Sequence, residues 1–171
     1  MNTAKIFVTT YSLYNQGRQF ESDKTGFWLD CADYDHDQLM ENFNEVDPEC
    51  KDDHELMFTD FEGFPESLYS ESCIAFASIA AWEALDEDQK EIAAALVEHG
   101  ISMTMPEAID KAADCFIFDG SLVDYAIEYY ESCYEIPDHL QGYIDWDAIA
   151  RDMSYDGNLI ELGRDRLLVI G

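Results

Sequence analysis

Like charges confined to a small volume repel one another, so a chain with 38 Asp and Glu against 9 Lys and Arg has few ways to fold. A small soluble domain typically carries a net charge of about 2–8 in magnitude. This one carries −29 over 171 residues. Chains of such acidity are often disordered because they lack the apolar residues needed for a core. Here 47% of residues are hydrophobic and 13% aromatic, so a folded chain is expected. Its length fits one to two compact units at about 150 residues each.

The charge also excludes partners. DNA, RNA and anionic lipid surfaces need a basic footprint, which is missing. A natural partner is instead a protein that expects another polyanion. No apolar run approaches the roughly 18 residues of a membrane span, and no basic and apolar leader opens the chain. Five cysteines stand at 31, 50, 73, 115 and 133, an odd number without a C-x-x-C pair. That pattern fits free thiols in a reducing cytoplasm. The expectation is a cytoplasmic protein with no membrane contact.

The pattern of elements predicts an α+β chain in three segments, 1–65, 66–104 and 105–171. In the first, Lys5–Tyr11, Gly26–Asp30 and Glu55–Phe61 read as strands, rich in β-branched and aromatic residues. Asp35–Phe43 reads as a helix with Leu39, Met40 and Phe43 inward. The second segment is helical. Ser72–Leu85 is apolar enough to suggest burial between other helices. Asp86 with Gln89 has capping-box spacing, and the helix it opens, Glu87–His99, places Ile92, Leu96 and His99 inward before Gly100 stops it. In the third, Thr104 with Glu107 and Ser121 with Asp124 repeat the capping spacing. Asp145 caps Trp146–Met153, and Asn158–Leu162 with Arg166–Ile170 form a closing hairpin.

The acids sort onto helix faces. Asp124, Glu128, Glu131 and Glu135 fall at i, i+4, i+7 and i+11. At about 100° per residue they lie within roughly 60° of arc. Leu122, Tyr125, Ala126, Tyr129 and Cys133 fill the other side. The stripe would span about 16 Å, or one charge per roughly 5 Å, against one phosphate per about 3.4 Å along a DNA strand. A charged face turned to water accounts for most helical stripes. It does not account for a single sign, because like charges at i,i+4 destabilise by about 0.2–0.5 kcal/mol per pair. Asp37, Glu41 and Glu45 repeat the pattern, and Asp110 and Asp114 do so around Lys111. Asp33, Asp35, Asp86 and Glu87 complete the set of candidate partner-binding carboxylates.

Other motifs fail on their chemistry. Asp33-x-Asp35-x-Asp37 begins like a calcium loop but has Gln38 and Asn44 where Gly and a bidentate Glu are needed. Cys50-x-x-x-His54 is half of a zinc site without its other half. No nucleophile-elbow or P-loop spacing occurs, so no catalytic residue, metal ligand or cofactor is assigned. An acidic Ca²⁺-binding protein is the alternative reading, and a carboxylate hydrolase or a halophilic surface are weaker ones.

With these elements placed, the chain resembles the ArdA antirestriction family. The resemblance rests on Ile6-Phe7-Val8 through Tyr14-Asn15-Gln16-Gly17-Arg18, then Trp28-Leu29-Asp30, then Asp60-Phe61-Glu62-Gly63-Phe64. The most specific stretch is Ile136-Pro137-Asp138-His139-Leu140-Gln141-Gly142-Tyr143-Ile144-Asp145, followed by Ala148-Ile149-Ala150-Arg151-Asp152. Their order is kept over nearly the whole chain. Gln19–Thr25 departs from the pattern as extra length before the Trp28 strand. The resemblance implies a DNA mimic carried by mobile elements, which blocks type I restriction–modification enzymes in their DNA-binding groove. It also implies an elongated chain of three small α/β subdomains that forms a homodimer. On that basis Ile136, Pro137, Leu140, Tyr143, Ile144 and Asp145 are candidate residues of the antirestriction motif and dimer contact. Ordinary core is an equal reading for the apolar ones among them.

Overall fold

A computed structural model describes residues 3–48, 55–163 and 165–171. The chain is α+β, and its contacts divide it into two units, Met1–Leu85 and Asp86–Gly171. The Cys50/His54 pair falls outside the described residues.

The first unit is built on an antiparallel sheet ordered β2-β1-β3. β1 (Lys5–Thr10) runs directly into the short helix α1 (Tyr11–Asn15), where the Thr10 side chain caps the Leu13 N–H. β2 (Phe27–Asp30), α2 (His36–Val46) and β3 (Leu56–Glu62) follow, and α3 (Phe76–Ala84) closes the unit. Alternation along β1 sends Ile6 and Val8 inward, where both are fully buried. Leu39 and Phe43 of α2 join them, and the Phe43 ring stacks on Phe27 at 6.0 Å. Met40, expected inward, is half-buried. A bulge at Thr59 shifts the register: Phe7 pairs with Asp60 but Val8 with Phe58.

Helix α3 corrects one expectation. It starts at Phe76 rather than Ser72, and of its side chains only Ile79 is buried. Ala77, Ala80, Ala81 and Ala84 are exposed. Alanine is the strongest helix former, so an Ala-rich stretch reports helix propensity as much as burial. The helix is fastened by Glu83, whose Oε1 accepts from the Ala4 N–H at 2.7 Å, and by Phe76, which stacks on Tyr34 at 3.8 Å.

The second unit opens with α4 (Glu87–Glu98) and α5 (Met105–Ala112), which pack together through Ile92, Leu96, Ala108 and Ile109. β4 (Cys115–Asp119), α6 (Leu122–Cys133), α7 (Asp138–Gln141) and α8 (Trp146–Ser154) follow. β5 (Leu159–Gly163) and β6 (Arg166–Ile170) form the expected hairpin, and the sheet order is β4-β6-β5. Leu167, Leu168 and Val169 of central β6 are all buried. Successive strand side chains point to opposite faces, so this sheet is covered on both sides.

The capping boxes of Asp86–Gln89 and Ser121–Asp124 are both closed, and Asp145 caps α8 by accepting from the Ala148 N–H at 3.0 Å. Thr104 caps α5, but the Glu107 carboxylate accepts from the Met103 N–H rather than from Thr104. His99 is exposed at the end of α4, contrary to its assignment inward; Ala93 and Ala95 fill that side instead. Gly100 does stop the helix, with φ +70°.

Candidate protein-binding surface

Helix α2 carries the acids of the first unit. Asp35 is its N-cap, accepting from the Gln38 N–H at 3.1 Å. Asp37, Glu41 and Glu45 follow on the helix and are exposed, as is Asp33 in the preceding 3-10 turn. Because α2 begins at His36, the Asp33-x-Asp35-x-Asp37 run enters a helix instead of wrapping into a calcium loop. Among the described residues, no group of three or more His, Cys, Asp or Glu is arranged to hold a metal ion.

In the second unit, Asp86 caps α4 and Glu87 and Asp88 occupy its first turn. There the helix dipole favours negative charge. Asp110 is exposed on α5, and exposed Asp114 lies beyond its end. On α6, Asp124, Glu128 and Glu131 form the exposed stripe. Glu135 is exposed too, but α6 ends at Cys133 with Tyr134 in extended geometry as its C-cap. The helical stripe therefore has three carboxylates, not four. Its opposite side is less buried than expected: Ala126 is buried, whereas Tyr129 and Cys133 are exposed.

The charge on these faces is not offset. Lys5, Arg18, Lys24, Lys90 and Arg166 are each within 4.0 Å of a carboxylate, at Asp30, Glu21, Glu45, Glu87 and Glu91 respectively. The Arg166–Glu91 pair is bidentate, at 2.8 and 3.1 Å, and ties β6 to α4. With these cations engaged, Asp37, Glu41, Asp110, Asp124, Glu128 and Glu131 have no ion-pair partner within 4.0 Å among the described residues. Asp124 is held below the usual carboxylate range by the Ser121 hydroxyl and backbone N–H, both of which donate to it.

The 136–145 stretch is open. Pro137 immediately precedes the short helix α7 without a side-chain capping bond, Leu140 on α7 is 45% exposed and Tyr143 just after it is 87% exposed. Ile136 and Ile144 are half-buried. Beside this stretch α6 carries a run of tyrosines, with Tyr129–Tyr130 and Tyr130–Tyr134 centroids 5.6 and 5.8 Å apart. Sequence reasoning missed strand β4, the Glu91–Arg166 pair and the exposure of Tyr129 and Tyr134. The tyrosines at 125, 129 and 130 gave the one usable signal, since three rings crowd one helix.

Residues 6–165 match the family model described as antirestriction protein (ArdA). A search of curated proteins found no significant match. The matched region spans both units and includes every acidic helix and the open 136–145 stretch, so the chain belongs to the ArdA antirestriction family.

Proposed function

We propose that this protein is a DNA mimic that occupies the DNA-binding groove of a type I restriction–modification enzyme and thereby blocks restriction. The observation that carries the proposal is the exposed carboxylates of Asp37 and Glu41 on α2 and of Asp124, Glu128 and Glu131 on α6, which have no ion-pair partner among the described residues. Successive helical turns place such charges about 5–6 Å apart, the same order as phosphates along a strand. Carboxylates fixed on helices need little ordering on binding. A groove built for DNA is basic, and charge complementarity would give fast, salt-sensitive association. The mechanism is competitive occlusion inside the bacterial cell and needs no catalysis, cofactor or metal.

The proposal extends to an elongated homodimer of three-subdomain chains, joined through the stretch around Leu140 and Tyr143. The exposure of those two side chains favours interface over core. The decisive experiment is displacement of DNA from a purified type I methyltransferase at several salt concentrations. Displacement should be strong at low salt and fall steeply as salt rises. An absence of displacement at low salt would refute the mimic.

A further inference from the structure

The outer face of the first sheet carries rings where a solvent-facing strand normally carries polar side chains. Phe7 on β1 lies opposite Trp28 on β2 and Asp60 on β3. Its ring meets Trp28 edge-on at 5.8 Å and Phe20 at 5.5 Å. Phe20 is 76% exposed and Trp28 41% exposed. With Tyr14, Gln19 and Asp60 they line a hollow of about 370 Å³.

The loop that brings Phe20 there is tied down. The Arg18 N–H donates to the Leu13 carbonyl at 2.9 Å, and the Thr9 hydroxyl donates to the Thr25 carbonyl at 2.7 Å. Gly26 makes the close approach possible, because a Cβ there would lie 2.2 Å from the Gln19 carbonyl oxygen and 2.9 Å from the Phe7 ring. Gln19 and Phe20 of this loop line the hollow together with the sheet residues Phe7, Trp28, Thr59 and Asp60.

Charge selects the occupant. Asp60 stands at the rim, and the next row across the sheet is Asp30, Lys5 and Glu62, with Lys5 already 4.0 Å from Asp30. Exposed rings edged by carboxylates suit a flat cation with several N–H donors. A guanidinium has that form; it stacks on aromatic faces, whereas an ammonium is a compact, strongly hydrated charge. A nucleobase would also stack, but a nucleic acid is repelled by a chain of net charge −29.

We propose that this hollow is an arginine-docking site, in which a guanidinium of a basic partner groove stacks on Phe20 and Trp28 with its N–H groups toward Asp60. The identity of that partner rests on the DNA-mimic proposal; the preference for arginine does not.

The test titrates the full chain with hexa-arginine and hexa-lysine, following the Trp28 indole N–H by NMR. Hexa-arginine should shift that resonance and bind about 2–5-fold more tightly than hexa-lysine, the range of an exposed cation–π contact. Phe20→Ala, at an exposed ring, should reduce the preference without lowering the melting temperature appreciably, and Phe20→Ala/Trp28→Ala, followed by calorimetry because its probe indole is gone, should reduce it further. Equal binding of the two peptides with Trp28 unmoved would overturn the site, as would a preference that survives Phe20→Ala. In the methyltransferase displacement assay, the double variant should need a higher concentration than the wild type. Equal potency would overturn docking in that groove while leaving the mimic intact. A wild type that displaces no DNA would refute the mimic, and the peptide titration would still decide the site.

Discussion

Single atoms set several local outcomes. Gly26 has no room for a side chain, since its Cβ would collide with the backbone oxygen of Gln19. Gly26→Ala should therefore destabilise the first unit by about 1–3 kcal/mol, the usual cost of overpacking, measured by urea denaturation. Asp124 shows how a cap responds to pH. Its carboxyl is held below the ordinary value by the Ser121 hydroxyl and N–H, so the folded state binds its proton less readily than the unfolded chain. The stabilisation is complete above the unfolded pKa and disappears as pH falls through the lowered folded one. Ser121→Ala should flatten the acid limb of the melting-temperature profile and lower the melting temperature at neutral pH. Among the thiols, burial, with Glu83 and Asp30 nearby, pushes Cys31 up to about 11, while Cys73 and Cys133 are exposed. An alkylating reagent at mildly alkaline pH should label Cys73 and Cys133 in the native protein and Cys31 only after unfolding, as read by mass spectrometry.

At the scale of elements, α6 separates folding from binding. Asp124 with Glu128 and Glu128 with Glu131 are like-charge neighbours that weaken the helix by about 0.2–0.5 kcal/mol each. Glu128→Gln/Glu131→Gln should stabilise the protein by a few tenths of a kcal/mol while weakening its displacement of DNA. A loss of stability would show that these carboxylates have structural partners. What could be read from the chain follows from how local the physics is. The caps at Asp86, Ser121 and Asp145 were legible because a cap is a contact between residues three apart. The strands of the first sheet and the closing hairpin were legible from composition and turns. Burial was less so. His99 is the C-cap of α4, where the backbone leaves helical geometry, and α3 has an apolar composition with only Ile79 buried. The end of the α6 stripe failed because the acid periodicity continues to Glu135 after the backbone has left the helix. The aromatic hollow was illegible because it depends on a loop folding back over a strand and on a bulge at Thr59.

For the whole molecule, repulsion and partner attraction respond to salt in opposite directions. Added salt screens self-repulsion and should raise the melting temperature, whereas it should weaken inhibition of the target. A melting temperature that falls with salt would mean that ion pairs such as Arg166–Glu91 outweigh the repulsion. The proposal of an elongated mimic requires a radius of gyration from small-angle scattering well above the roughly 15–16 Å expected for a globule of this length, and a value in that range would refute it. Tyr143→Asp should shift sedimentation toward the monomer if the 136–145 stretch is the dimer contact.

The basic residues have a second consequence. Lys24 and Lys90 each hold the carboxylate of one surface residue, Glu45 at 3.3 Å and Glu87 at 3.2 Å. Each lysine is thus a cover over one acid. Acylation of an ε-amine would remove a positive charge and uncover the carboxylate beneath it in a single step. An enzyme that acetylates lysines would leave this protein more acidic with every modification.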